Sequence, residues 1–94
     1  MNITEYDFIV VGAGFFGSVV AERIANELKE KVLVIDKREH IGGNSYAYID
    51  KETGIEVHKY GSHIFHTSDE NVWSYINRFT ELNGYRHTVY SNYK

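Results

Sequence analysis

The chain contains no cysteine and no proline, and one methionine and one tryptophan among its 94 residues. Without cysteine, disulfides and thiolate chemistry are excluded. The same absence suits a reducing compartment. No apolar run approaches the ~20 residues that a membrane-spanning helix needs. Positive charge is also in short supply: the net charge is −3, which gives no electrostatic case for nucleic acid or an anionic membrane as partner. The opening residues, Met1-Asn2-Ile3-Thr4-Glu5, lack the basic-then-apolar form of a signal peptide, so a cytoplasmic location is the expectation.

What the chain does have is a glycine-rich turn placed between two regular patterns. The apolar run Phe8-Ile9-Val10-Val11 reads as a strand and is followed by Gly12-Ala13-Gly14-Phe15-Phe16-Gly17. A helix is expected from about Gly14 to Glu30, with an apolar stripe at Val20, Ala21, Ile24 and Leu28. A second strand, Val32-Leu33-Val34-Ile35, then ends in Asp36. This is the dinucleotide-binding fingerprint. Gly12 makes the turn, Gly14 admits a pyrophosphate to the backbone, and Gly17 lets helix and strand pack closely. The free amides and positive dipole end of the helix face the phosphates, and an acid about 20 residues further on bonds the ribose hydroxyls, where Asp36 stands. Asp36 disfavours the 2′-phosphate of NADP but does not by itself choose between NAD and FAD.

A second glycine pair follows the acid, in Lys37-Arg38-Glu39-His40-Ile41-Gly42-Gly43-Asn44. Read alone it is a surface turn carrying a solvated charge cluster; read with the first motif it is another close backbone approach to a cofactor. The stretches Ser45–Ile49 and Ile55–Tyr60 read as a hairpin closed by the polar loop Asp50–Gly54. Gly61-Ser62-His63-Ile64-Phe65-His66-Thr67 brings two histidines, whose spacing makes a poor metal site; no metal is expected. Thr67-Ser68-Asp69-Glu70 has the form of a capping box with Thr67 as cap. The helix it opens is expected to reach about Asn83, with a stripe at Val72, Tyr75, Ile76, Phe79 and Leu82 and with Gly84 as the residue after its end. Tyr85 to Tyr93 suits a further strand. The eight tyrosines crowd the second half and read mostly as half-buried packing groups.

The pattern is α/β: a Rossmann-like βαβ unit, a β-hairpin, then a helix. Since such a sheet needs more parallel strands than the two visible here, residues 1–94 are expected to be the N-terminal part of an FAD/NAD(P)-binding domain of a larger flavoprotein, with the remainder of that domain and the substrate domain lying elsewhere.

Three motifs in one order, Gly12 to Gly17, Asp36 to Asn44, and Lys59-Tyr60-Gly61-Ser62-His63-Ile64-Phe65-His66-Thr67, closely resemble the N-terminal region of bacterial UDP-galactopyranose mutases. The resemblance implies an FAD-dependent isomerase that interconverts UDP-galactopyranose and UDP-galactofuranose for surface polysaccharide synthesis. Reduced flavin N5 attacks the anomeric carbon, a flavin–sugar adduct opens and recloses the ring, and there is no net redox change. NAD(P)H is an external reductant at most. Carried over by residue, Gly12, Ala13, Gly14, Phe16 and Gly17 surround the FAD pyrophosphate and Asp36 the adenosine ribose. Lys37 and Arg38 lie along the adenine, and Gly43 and Asn44 touch the diphosphate or ribitol. His63 and Ile64 lie near the isoalloxazine, with His63 the catalytic candidate, and His87 is a substrate contact. UDP-galactose is the implied partner, and the full-length protein is expected to be a homodimer. Rival readings are another FAD enzyme of the amine-oxidase or desaturase type and a non-catalytic dinucleotide-binding module; Asn44 and the His63–His66 stretch argue against the former.

Overall fold

A computed structural model describes residues 2–93, which fall into two units meeting between His63 and Ile64. In the first unit, β1 (Phe8–Val11) pairs in parallel with β2 (Val32–Ile35), with Phe8 opposite Val32 and Val11 opposite Ile35. Helix α1 (Phe15–Glu27) is the crossover and packs on both strands. Its buried residues are Gly17, Ala21 and Ile24, one face at helical spacing on which the first two are small. Small side chains let the helix approach the sheet closely, and Ala13, Ala21 and Ile24 form the buried core.

The helix is shorter than its apolar pattern suggests. It stops at Glu27 rather than Glu30, because Lys29 takes a left-handed conformation (φ 57°) and reverses the chain. The Glu30 N–H then bonds back to the Ile24 carbonyl at 3.4 Å. Leu28, expected in the buried stripe, is therefore 57% exposed.

The hairpin forms from β3 (Ala47–Ile49) and β4 (Glu56–His58), antiparallel, with Ala47 opposite His58 and Ile49 opposite Glu56. Both strands are shorter than Ser45–Ile49 and Ile55–Tyr60. Ser45 is taken into a 3-10 turn spanning Gly43–Ser45. Asp50 organises the connection: its carboxylate accepts from the Thr53 N–H at 3.0 Å and the Thr53 hydroxyl at 2.7 Å.

In the second unit, α2 covers Glu70–Ile76. Several expectations fail here. The cap is Asp69, not Thr67: the Asp69 carboxylate accepts from the Asn71 and Val72 N–H groups, while Thr67 Oγ1 accepts from the Asp69 N–H at 3.1 Å. The helix also ends at Ile76 instead of Asn83. Beyond it the bonds tighten, Arg78 N–H to the Tyr75 carbonyl and Phe79 N–H to the Ile76 carbonyl, and the Asn77 side chain donates to the Trp73 carbonyl at 2.8 Å. Val72, Trp73 and Phe79 are 41%, 45% and 57% exposed, so the stripe gains little packing to propagate the helix. Gly84 has a positive φ but ends no helix, and 85–93 is irregular rather than a strand. Among the described residues, no helix is long and apolar enough to cross a membrane.

Candidate functional site

The turn leaving β1 is held from several directions. Gly12 donates its N–H to the Ile35 carbonyl at 2.7 Å, which extends the parallel pairing into the turn. Ala13, 6% exposed, has both backbone groups engaged. Its N–H donates to Asp36 Oδ2 at 2.7 Å, and its carbonyl accepts from the Gly42 N–H at 2.8 Å. Gly14 is the N-cap of α1 and offers no side chain to its first turn. The amides that open the helix therefore have no side-chain acceptor at the cap, which is the arrangement that receives an anion.

Gly17 explains how close the helix comes. A Cβ there would lie 1.9 Å from the Gly12 carbonyl oxygen and 3.3 Å from Val10 Cγ1. Only hydrogen fits, as the fingerprint requires of its last glycine.

The second glycine pair is docked on the first. Gly43 has φ 57°, and a Cβ on it would stand 2.8 Å from Gly14 Cα. Together with the Gly42–Ala13 bond, this makes the two glycine loops one cradle of exposed backbone. Asn44 sits on its rim, exposed, in the Gly43–Ser45 turn.

Asp36 closes the cradle at the end of β2. Oδ1 accepts from the Arg38 N–H at 2.7 Å while Oδ2 holds Ala13. These two amides, Ala13 first, hold its carboxyl below the usual carboxylate range, with desolvation opposing them and the nearby Arg38 charge assisting. It is an anion over the whole neutral range. Lys37 beside it is exposed, and Phe16, at the mouth of the turn, is 85% exposed.

Arg38 does not extend freely. Its guanidinium lies over the Tyr60 ring, 4.4 Å from the centroid. His63 packs its ring on His58 with centroids 4.3 Å apart, and its N–H donates to His58 Nδ1 at 3.3 Å. Ile64 and His87 belong to the second unit. Ile64 is 47% exposed, and His87 lies 6.2 Å from the Tyr85 ring. The first unit thus gathers Gly12, Ala13, Gly14, Phe16, Gly17, Asp36, Arg38, Gly43 and Asn44 around one turn. Among the described residues, no group of three or more histidine, aspartate or glutamate side chains is placed to hold a metal.

One cluster escaped the sequence reading. His40 stacks on Tyr46, with centroids 3.8 Å apart and planes 14° from parallel, and bonds the Tyr60 hydroxyl. The run Lys37 to His40 reads as a solvated charge cluster, and nothing local reveals a partner 20 residues away.

A parallel βα-β unit with a glycine turn at the helix start and an acid at the end of the second strand defines a dinucleotide-binding protein. The sequence profile of the NAD(P)-binding Rossmann-like domain matches residues 10–79, and the chain belongs to that family. It is similar to the UDP-galactopyranose mutase of Mycoplasma genitalium, 47% identical over 95% of this chain and 22% of that protein. It is 48% identical to a probable UDP-galactopyranose mutase of Klebsiella pneumoniae over 88% of this chain and 21% of that protein. It is 44% identical to the dTDP-fucopyranose mutase of Escherichia coli over 92% of this chain and 22% of that protein. The chain spans about a fifth of the length of the curated relatives it matches.

Proposed function

We propose that the chain forms the adenine-dinucleotide half of the FAD site in a nucleotide-sugar mutase, an isomerase that interconverts UDP-galactopyranose and UDP-galactofuranose. The observation that carries this reading is the docking of Gly42 and Gly43 onto Ala13 and Gly14. A nicotinamide site needs the first glycine turn alone; a second backbone approach directly after the ribose acid suits a longer flavin dinucleotide. The similarity to named mutases supports the same choice.

The residues fit such a group. Gly14 and Gly43 leave the cradle lined by backbone, and the first-turn amides of α1 suit a pyrophosphate beside Phe16 and Gly17. Asp36 spends one lone pair of each oxygen on an amide and keeps the others for ribose hydroxyls. Its charge repels a 2′-phosphate. Lys37 and Arg38 would flank the adenine, and Gly43 and Asn44 the diphosphate or ribitol. His63 and Ile64 would lie by the isoalloxazine and His87 by the substrate. When bound, reduced flavin supplies N5 as a nucleophile toward the anomeric carbon of the sugar, without net redox. On this reading residues 1–94 are the N-terminal part of the FAD domain, the full-length protein is a cytoplasmic homodimer without nucleic-acid or membrane partners, NAD(P)H is a possible external reductant, and galactofuranose feeds surface polysaccharides.

The test is turnover by the full-length protein from its native gene. It should purify yellow and convert UDP-galactofuranose to UDP-galactopyranose only after dithionite reduction. A yellow protein that converts neither sugar nucleotide would favour an amine-oxidase or desaturase type of enzyme, or a non-catalytic module. The similarity to a dTDP-fucopyranose mutase makes dTDP-fucofuranose the necessary second substrate in that assay.

A further inference from the structure

The run Lys37 to His40 ends in a side chain that is not solvated in the way a charge cluster would be. His40 is half-buried, and three segments meet on its ring. Nδ1 lies 2.9 Å from the Ile41 carbonyl oxygen. A carbonyl only accepts, so Nδ1 carries the proton. Nε2 and the Tyr60 hydroxyl share a hydrogen bond at 2.7 Å. Tyr46 stacks on one ring face, and the Tyr46 carbonyl accepts from the Lys59 N–H at 3.2 Å. Arg38 covers the Tyr60 ring and so holds the phenol in place. The imidazole is therefore braced by both ends of the hairpin, at Tyr46 and Tyr60, while it grips the peptide directly before Gly42. That peptide leads into the N–H that bonds Ala13 and into the glycine whose Cα side touches Gly14.

We infer that His40 is a positioning residue: through Tyr60 and Tyr46 it sets the Ile41 peptide and thereby seats Gly42 and Gly43 on the first glycine turn. Its consequence for flavin affinity rests on the functional reading above; its consequence for the loop does not.

The experiment compares His40→Phe, Tyr60→Phe and the double variant of the full-length protein by amide exchange and by FAD titration. His40→Phe keeps a ring to stack on Tyr46 and removes both hydrogen bonds; Tyr60→Phe removes one hydroxyl from a ring that is already 41% exposed. The Gly42 amide should exchange at least about fivefold faster in either single variant, the factor carried by one lost hydrogen bond. The Gly12 amide, bonded to Ile35 in the strand pair, should keep its protection. FAD affinity should fall by a similar factor without a change in melting temperature, and the double variant should add nothing to His40→Phe. Equal acceleration of the Gly12 and Gly42 amides, or an unchanged Gly42 amide in Tyr60→Phe, would overturn the assignment. If the native protein takes up no FAD, the flavin reading falls, and the exchange of Gly42 against Gly12 still decides the role of His40.

Discussion

Asp36 Oδ2 accepts a hydrogen bond from the Ala13 N–H at 2.7 Å, which ties the end of β2 to the middle of the glycine turn. The acid usually discussed as a ribose ligand is thus also a strut of the cradle itself. Its carboxyl is held low, chiefly by the Ala13 amide and then by the Arg38 amide. A depressed folded-state pKa contributes stability that is complete above the unfolded value of ~3.9 and is lost as pH falls through the folded value. We expect protection of the Ala13 amide to persist at neutral pH and to disappear in acid below ~3.9. Asp36→Asn should remove that acid-sensitive component, weaken dinucleotide binding and speed exchange at Ala13 even at pH 7. Amide exchange followed across the acid range is the measurement.

Gly43 should tolerate no side chain. Its φ of 57° and the 2.8 Å separation between a built Cβ and Gly14 Cα act together. Left-handed backbone costs a non-glycine residue ~1–2 kcal/mol before any clash is counted. Gly43→Ala should therefore lift the second loop from the first. We expect the Gly42–Ala13 bond to open and dinucleotide affinity to drop more than tenfold, the factor that 1.4 kcal/mol represents. Pairing of β1 with β2 should survive, as read by exchange at Gly12.

The βαβ unit was legible because its signals are local. Four apolar residues, a glycine turn and a helical stripe can all be read within one window, and Asp36 falls at the spacing the fingerprint needs. What failed was governed by partners far along the chain or by competition between neighbours. Thr67 and Asp69 both precede Glu70 and both can cap; two backbone amides settle on Asp69. Lys29 carries no sequence mark of its left-handed turn, so the apolar pattern alone runs past the true end of α1. The stripe from Val72 to Leu82 predicts a longer helix only if something packs on it. His40 reads as one more charged loop residue until Tyr60 is brought to it. Each glycine motif is visible in the sequence, but the contact between them, Gly43 against Gly14, is a tertiary fact with no local sign.

The choice of cap gives a direct test. Asp69→Ala should destabilise α2 by ~1 kcal/mol, the usual cost of a lost N-cap. Thr67→Ala removes a single contact to the Asp69 N–H and should leave helicity nearly unchanged. Far-ultraviolet circular dichroism of the two variants, with chemical unfolding, separates them. An equal loss in both would restore the capping box at Thr67.

Gly14 and Gly17 separate folding from binding. A Cβ at Gly17 meets the Gly12 carbonyl at 1.9 Å, and neither partner is a flexible side chain. Gly17→Ala should push α1 off β1 at a cost of ~3 kcal/mol, near the upper end for overpacking. Against a total stability of ~5–15 kcal/mol, that loss will appear as a much lower melting temperature. At Gly14 the backbone is ordinary, with φ −84°, and a Cβ would meet only Gly43 Cα at 3.6 Å. Gly14→Ala should therefore fold with nearly native stability, while on the proposed reading its methyl would stand where a phosphate approaches the helix amides. We expect it to melt like the native protein and to lose dinucleotide binding by more than tenfold, equivalent to at least ~1.4 kcal/mol. Calorimetric melting and FAD titration on the same two variants check both halves of the contrast. Undiminished FAD affinity in Gly14→Ala would mean that the pyrophosphate lies elsewhere than over this turn.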